Sequence, residues 1–314
     1  MTSTTTEVVR TPTHRSGYGA GLVIAVLSAL AFGLSGSLAR SLLNIGWSPA
    51  AIVSMRIGGA FVVLLVPSLI LLRRLGRPTS AQGTRMLLYG AIAVGGAQLC
   101  YFSAVQYLSI GVALLLEYLA PVLLIGWHWM RSRQRPALPI FVGAGLSLVG
   151  LALVLDLSSG VRINPVGVLW GLGAAVCLCG YFILSEEQHA TPSVHPLLLT
   201  TAGLGVGGLM VLAIGASGLL PLAAVATSTE LAGAQLSWLV PALTLILVSG
   251  AFSYISGIVA VRRLGSSLAS FVSLSEVIFA VVLAVILLDQ QPSLTQVLGG
   301  ALVLAGIVVV QRRS

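Results

Sequence analysis

Three charged residues lie inside long apolar runs of this sequence and are the first candidates for chemistry. Arg56, Glu117 and Glu276 each fall within an apolar run whose length is close to the roughly 20 residues that a helix needs to span a bilayer. A charge at this depth is costly, so such side chains normally face the protein interior or a water-filled cavity. Arg56 and Glu117 could bind the two ends of a zwitterion, whereas a mutual salt bridge between them is the structural alternative.

Glu276 and Glu117 are also the candidates for proton coupling. An apolar surrounding favours the neutral, protonated form of a carboxyl group, which lets a buried acid exchange a proton at physiological pH. Arg56 would hold Glu117 ionised, because a neighbouring cation favours the charged form. Glu276 is therefore the preferred proton carrier. A structural carboxylate bonded to a nearby Ser or Tyr is the alternative for this residue.

Further polar residues at helical spacing could line the same cavity. Pro121 has no N–H to bond the carbonyl of Glu117, so a kink and a free carbonyl are expected beside the carboxylate. Gln98 and Tyr101 share one helix face, and serines and a tyrosine recur in the second half; hydrogen bonding between helices is the alternative role. The predicted substrate-binding residues are Arg56, Gln98, Tyr101, Glu117, Pro121, Ser253, Tyr254 and Glu276.

Ten apolar runs must position these residues. Hydrophobic residues make up 57% of the 314 positions and charged residues 8%, against about 25% charged in soluble domains. The composition thus predicts an all-α, polytopic membrane protein with ten transmembrane helices. The predicted spans are 18–38, 49–72, 86–106, 109–130, 138–156, 165–185, 194–215, 237–261, 266–288 and 293–311.

The arginines are distributed unevenly among the segments between these runs. All sixteen basic residues are Arg, and thirteen fall on one side of the predicted membrane, including clusters at 73–85, 131–135 and 262–263. By the positive-inside rule, both termini are predicted to be cytoplasmic, in a multi-pass protein of the bacterial plasma membrane. The same placement argues against a basic face for nucleic acid.

The sequence repeats itself at a shift of 156 residues. Residues 142–150 align with 298–306, and the same shift places Tyr254 on Gln98. Because five helices per repeat is an odd number, the halves enter the membrane from opposite sides, as in the inverted repeats of secondary transporters. The predicted organisation is a disordered cytoplasmic tail at 1–17, repeats at 18–156 and 165–314, and a linker at 157–164.

Three classes of protein fit these features, and a secondary transporter is preferred. The alternatives are the membrane subunit of an ATP-driven transporter and a membrane-embedded enzyme, although the sequence has no His-Glu-x-x-His or Gly-x-Ser-x-Gly motif. No catalytic residue, metal site or cofactor is predicted, and Cys100, Cys177 and Cys179 are interpreted as small core residues. The expected partners are a small-molecule substrate and the lipid bilayer, and a homodimer stays open.

The chain resembles the drug/metabolite transporter superfamily, and within it the ten-helix EamA-type family. The resemblance lies in Glu117–Val122, Ser275–Ala280, Gly299–Gly306 and the position of Arg56. The segment around Glu117 is similar to the threonine/homoserine exporter branch. The resemblance implies export of small, amino-acid-like metabolites. One departure is Val277, which follows Glu276 where such proteins often carry Pro.

Overall fold

The computed structural model describes residues 15–108, 110–133, 136–154, 164–186, 193–218, 221–289 and 291–311. Most of the predicted tail and linker lies outside these ranges. Arg15, which the prediction assigned to the tail, instead begins the first helix.

The first half is a series of helices joined by short connections. Ser48 caps the second helix, with Pro49 in its first turn, and Thr79 and Gln82 form a capping box for the third. The elements are α1 (Arg15–Asn44), α2 (Pro49–Leu75), α3 (Ser80–Leu88), a π segment (Tyr89–Gly96), α4 (Ala97–Val105), α5 (Ile110–Glu117), α6 (Ala120–Ser132) and α7 (Leu138–Val154).

The second half has the same order of helices and adds one hairpin. Asn164 caps its first helix through its side-chain oxygen. The elements are α8 (Pro165–Ser185), α9 (Pro196–Ala216), β1 (Ser228–Leu231), β2 (Ala234–Ser237), α10 (Leu239–Thr244), a π segment (Leu245–Phe252), α11 (Ser253–Leu264), α12 (Ser266–Ser273), α13 (Ser275–Leu288) and α14 (Leu294–Gln311).

Eight helices in the described part of the chain are long and apolar enough to cross a membrane. Some combine two elements, such as Val112–Ser132 across α5 and α6, and Ser266–Leu288 across α12 and α13. The apolar helix Leu138–Val154 is shorter than these. The expected polytopic helical protein is thus confirmed, and eight of the ten expected crossings meet this standard.

The repeat is visible in the irregular parts of the helices as well as in the sequence. The π segments Tyr89–Gly96 and Leu245–Phe252 are 156 residues apart at both ends. The breaks after Glu117 and Ser273 have the same separation, and so do the left-handed residues Arg133 and Asp289. These features depart from regular α geometry at equivalent places, so the two halves share one local design.

Helices α7 and α14 pack closely through glycines. A Cβ on Gly143 would lie 2.7 Å from the carbonyl oxygen of Gly306, and one on Gly150 would lie 2.6 Å from that of Gly299. Since 143 faces 306 and 150 faces 299, the two helices run antiparallel. The contact is reciprocal, because the 156-residue shift carries Gly143 to Gly299 and Gly150 to Gly306.

The first helix of each half packs mainly against helices of the other half. Helix α1 of the first half packs against α11, α12 and α13 of the second. Its equivalent α8 packs against α4, α5 and α6 of the first half. Helix α2 packs against its own equivalent, α9. The polar residues of both halves are therefore brought to one shared interior.

The hairpin of β1 and β2 corrects the all-α expectation. This segment, expected to be a loop, is held against the ends of several helices by hydrogen bonds. The hydroxyl of Thr229 donates to the carbonyl of Ser41 (2.7 Å), and the N–H of Ala232 donates to that of Leu287 (2.8 Å). The sequence signal was weak because each strand has only four residues.

Candidate functional site

The two candidate carboxylates each lie at a break in a helix. Glu117 is the last residue of α5, and Glu276 is in the first turn of α13. The start of a helix carries a partial positive charge, which favours a carboxylate there. Both side chains are half-buried, whereas Tyr118 and Val277, beside them, are buried. The breaks thus place both acids within the helix packing and leave them partly accessible.

The break beside Glu117 has the cause that the sequence predicted. Pro121 is buried in the first turn of α6, and α5 ends four residues before it. The N–H of Leu119 bonds to Leu116, only three residues back, so the helix tightens before it ends. The structure therefore interrupts the helix beside Glu117, where a kink at Pro121 was expected.

The equivalent break before Glu276 occurs without a proline. Here serine hydroxyls donate to backbone carbonyls three residues earlier: Ser270 to Ser267 (2.6 Å), Ser273 to Ser270 (2.7 Å) and Ser275 to Val272 (2.7 Å). Such bonds compete with the regular helix ladder and bend helices. A run of serines therefore accompanies, in the second half, the break that Pro121 produces in the first.

Arg56 interacts electrostatically with both carboxylates, although no salt bridge within 4.0 Å joins these described residues. It interacts with Glu117 and with Glu276, and the two acids also interact with each other. The Nε atom of Arg56 is buried and has no hydrogen-bond partner among the residues that the structure describes. A buried N–H without a partner is costly. The three predicted charges therefore interact with one another, and the Nε–H of the guanidinium is left without a partner in the described part of the chain.

Tyrosines surround this cluster of charges. Tyr118 interacts with Glu276, and Tyr101 interacts electrostatically with Glu117. Gln98 interacts with Tyr254, its own repeat equivalent. The predicted residues Gln98, Tyr101 and Tyr254 are therefore gathered beside the charges.

Further aromatic side chains, beyond the residues that the sequence predicted, pack around Tyr254. The ring of Phe32 meets that of Tyr254 edge-on, with centroids 5.2 Å apart, and Tyr181 lies 6.3 Å from Tyr254. Sequence reasoning did not include Phe32, Tyr118 or Tyr181. The position of Tyr118 next to Glu117 was an available signal, whereas the positions of Phe32 and Tyr181 depend on how α1 and α8 pack.

Ser253 has a different environment from the other predicted residues. Its side chain is fully buried, and its hydroxyl donates to the carbonyl of Ser249 in the same helix (2.6 Å). Its own carbonyl accepts a hydrogen bond from Ser28 of α1 (2.8 Å), and the Ser249 hydroxyl donates to Ala31 (2.7 Å). These contacts favour the alternative role in helix packing.

A second polar network lies where α8 ends and α12 begins. The hydroxyl of Ser266 donates to the carboxylate of Glu186 (2.8 Å) and contacts Nε2 of His128 (2.9 Å). Arg85 donates to the carbonyls of Leu184 (2.9 and 2.7 Å) and Glu186. Basic side chains at a helix C-terminus satisfy its last carbonyls. This network joins α3, α6, α8 and α12 at one end of the bundle.

Metal binding finds no support in the described part of the chain, where no three His, Cys, Asp or Glu side chains are grouped to hold an ion. Cys100 and Cys177, however, both lie in the interface of α4 with α8, which the sequence did not indicate. The arrangement as a whole offers one cation, two carboxylates and hydroxyl groups to a small polar ligand.

Comparison with known proteins gives a consistent result. Over 93% of its length the chain is 27% identical to an uncharacterized transporter of Archaeoglobus fulgidus, covering 96% of that protein. It is 26% identical over 232 residues to the uncharacterized transporter YwfM of Bacillus subtilis, covering 72% of each chain. It is 20% identical over 231 residues to the uncharacterized inner membrane transporter YicL of Salmonella typhimurium, covering 73% of each.

The fold and the family follow from two further matches. A crystal structure that is 18% identical superimposes with a TM-score of 0.72, covering 93% of this chain and 98% of the other, which shows a shared fold. The EamA-like transporter family matches twice, over residues 19–156 and 165–312. With both halves matched over nearly the whole chain, this protein is a membrane transporter that belongs to the EamA-like transporter family.

Proposed function

We propose that this transporter is a proton-coupled exporter of small, amino-acid-like metabolites in the plasma membrane, with both termini in the cytoplasm. Its substrate site is formed by Arg56, Glu117 and Glu276, with Gln98, Tyr101 and Tyr254 in the wall. The observation that carries this proposal is the electrostatic interaction of one guanidinium with two half-buried carboxylates, together with its buried N–H that has no partner in the described part of the chain.

The charges of the cluster match those of a zwitterion. Arg56 can donate to a substrate carboxylate through its Nε–H, which no described residue accepts. A substrate ammonium group is attracted to Glu117 and Glu276, which interact with each other across the site. An uncharged metabolite could form no ion pair with these three groups, so the proposed site favours a substrate that carries both charges.

Proton coupling follows from the excess of carboxylates over cations in this cluster. With one cation for two acids, one carboxylate is left to hold either a proton or the substrate ammonium group, but not both. Exchange of one for the other couples export to proton entry and avoids a proton leak through the empty carrier. We assign this role to Glu276, as the sequence suggested, although Arg56 interacts with Glu276 as well as with Glu117.

The proposed architecture is ten membrane helices in two inverted repeats. Its support is the antiparallel, reciprocal packing of α7 on α14 and the exchange of α1 and α8 between the halves. A two-fold axis in the membrane plane relates such repeats, and alternating access arises when one repeat moves against the other around a central site.

The first experiment identifies the substrate and the direction of transport. Extracellular metabolites are compared between cells that overproduce the protein and cells that lack it. We expect one or more amino-acid-like compounds to accumulate outside the overproducing cells. Unchanged extracellular levels of all such compounds would contradict the proposed export.

The second experiment tests coupling with Glu276→Gln. Purified protein in vesicles is given the identified metabolite and an imposed pH gradient, and uphill accumulation is measured. We expect Glu276→Gln to abolish gradient-driven accumulation and to retain exchange of substrate for substrate. The matched control is Glu230→Gln, which changes an exposed acid on the hairpin. If Glu276→Gln accumulates substrate as the parent does, Glu276 is only a structural carboxylate.

A further inference from the structure

The helices around the candidate site form two groups, each drawn from both repeats. Helix α1 packs with α11, α12 and α13, and we refer to this set as the α1 group. Helix α8 packs with α4, α5 and α6, which form the α8 group. Glu276 and Tyr254 belong to the α1 group, whereas Glu117, Gln98 and Tyr101 belong to the α8 group. The candidate site therefore lies between the two groups.

Side-chain hydrogen bonds join the two groups at one end of the bundle. The hydroxyl of Ser266, the first residue of α12, donates to Glu186 at the end of α8 (2.8 Å) and contacts Nε2 of His128 on α6 (2.9 Å). The N–H of Ser266 also donates to the Glu186 carboxylate (3.4 Å), so this acid caps the start of α12. Arg262, in the last turn of α11, donates to the carbonyl of Ser185 (3.3 Å). Two residues of the α1 group are thus bonded to three residues of the α8 group.

The contacts between the groups are one-sided. Helix α6 packs against α12, and α8 packs against both α11 and α12. The repeat relates α1, α4, α5 and α6 to α8, α11, α12 and α13, so the equivalent pairs are α13 with α5 and α1 with α4 and α5. In the part of the chain that the structure describes, none of these three equivalent pairs makes a comparable contact. The groups are therefore closed against each other at the end that carries Ser266 and not at the opposite end.

This asymmetry identifies the interface that has to move. Because the two repeats share one local design, the contacts that are missing at one end are the counterparts of those formed at the other. In a carrier built of inverted repeats, one bundle rocks against the other around the central site and exchanges one set of contacts for the other. The interface at Ser266 then separates when the site opens to that end.

We propose that Ser266, Glu186, His128 and Arg262 form a gate that closes the candidate site towards the cytoplasm and separates each time substrate is loaded. The gate rests on the proposed function, because an exporter takes its substrate from the cytoplasm, where the proposed topology places this end. Ser266 is its central residue, since it bonds to the end of α8 and contacts α6 at once. A hydrogen bond contributes little net free energy where water replaces it on opening, so these few bonds close the gate without making it permanent.

The test measures opening directly, with a thiol reporter beside the gate. Ser185 is fully buried in the last turn of α8, and cysteine replaces serine with little change in shape. The reporter Ser185→Cys is placed in the full-length protein, with the three native cysteines changed to serine. Inside-out membrane vesicles, which present the cytoplasmic end, are treated with a membrane-impermeant maleimide, and mass spectrometry of the protein gives the labelling rate.

The reporter should be labelled slowly when the gate is intact. Adding Ser266→Ala should raise the rate about fivefold, the shift in the ratio of open to closed protein expected for the loss of one hydrogen bond. His128→Ala, which removes one partner of Ser266, should raise the rate by a smaller factor. The matched control is Ser267→Ala, the next residue of α12, which takes no part in the gate and should leave the rate unchanged.

A second reporter separates opening of the gate from unfolding. Ser41 is fully buried near the other end of α1, where its carbonyl accepts a hydrogen bond from the hairpin. Labelling of Ser41→Cys in right-side-out vesicles should be as slow with Ser266→Ala as without it.

Two results would overturn the proposal. One is an equal labelling rate at Ser185→Cys with and without Ser266→Ala. The other is a rise at both reporters, which would show general unfolding instead of the opening of one end. The labelling needs no substrate, so failure of the proposed export would leave it unaffected, and the two failures are distinguishable.

Discussion

The glycine contact between α7 and α14 provides a quantitative test of the packing. In Gly150→Ala, the added methyl would lie 2.6 Å from the carbonyl oxygen of Gly299, 2.7 Å from the nitrogen of Val303 and 2.9 Å from the Cβ of Leu302. Ordinary contacts begin at 3.4 Å, so the oxygen contact alone requires a movement of about 0.8 Å, from 3.4 minus 2.6. The obstructing atoms are backbone or Cβ atoms, and no side-chain rotation relieves the clash.

The expected cost follows from the behaviour of overpacked cores. Inserting a methyl into a tightly packed contact destabilises by about 1–3 kcal/mol. In a protein of this size, each kcal/mol lowers the melting temperature by roughly 2 °C. Gly150→Ala should therefore lower the melting temperature by roughly 2–6 °C.

The matched control is Gly145→Ala on the same helix. Gly145 is exposed, and its added methyl would meet no atom within 4 Å. Alanine has a higher helix propensity than glycine by up to about 1 kcal/mol, so this variant should melt at the parent temperature or slightly above it. Thermal unfolding in the same detergent measures both. If Gly150→Ala has the same melting temperature as Gly145→Ala, the close packing of α7 on α14 is wrong.

Two further predictions concern the network at the end of α8 and the orientation of the chain. Ser266→Ala removes the contacts to Glu186 and His128, so polar groups of both residues lose a partner. We expect it to lower the free energy of unfolding by about 1–3 kcal/mol. Thermal unfolding of this variant, compared with that of Ser267→Ala, measures the loss. A loss of stability no larger than that of Ser267→Ala would show that the network does not stabilise the fold. Arg74→Cys should be labelled from the cytoplasmic side and Gly233→Cys, at the hairpin turn, from outside. The opposite pattern would invert the predicted topology.

The sequence predicted those parts of the fold that depend on local chemistry. The proline at position 121 removes a hydrogen bond wherever the helix packs, so the kink beside Glu117 was predictable. Ser48 and Asn164 cap the helices that begin at Pro49 and Pro165 for the same local reason.

Other features depend on packing and were not predictable in this way. The break before Glu276 coincides with hydrogen bonds from serine hydroxyls to carbonyls of their own helix. Whether a serine hydroxyl forms such a bond depends on its surroundings. The presence of Cys100 and Cys177 in one interface depends on the antiparallel contact of α4 with α8. The sequence predicted the three charges as residues of one site, whereas the interaction of Arg56 with Glu276 as well as with Glu117 depends on the exchange of helices between the halves.

The paired π segments at Tyr89–Gly96 and Leu245–Phe252 bear on the history of the gene. A π turn closes its hydrogen bond over five residues instead of four, which is the geometry that an α-helix would adopt after the insertion of one residue. Two independent insertions would have to occur at the same position of each half. A single insertion in an ancestral half-length gene, followed by duplication and fusion, explains both segments with one event. A present-day protein with only one such half should then carry the same insertion, and a regular α-helix there would exclude this order of events.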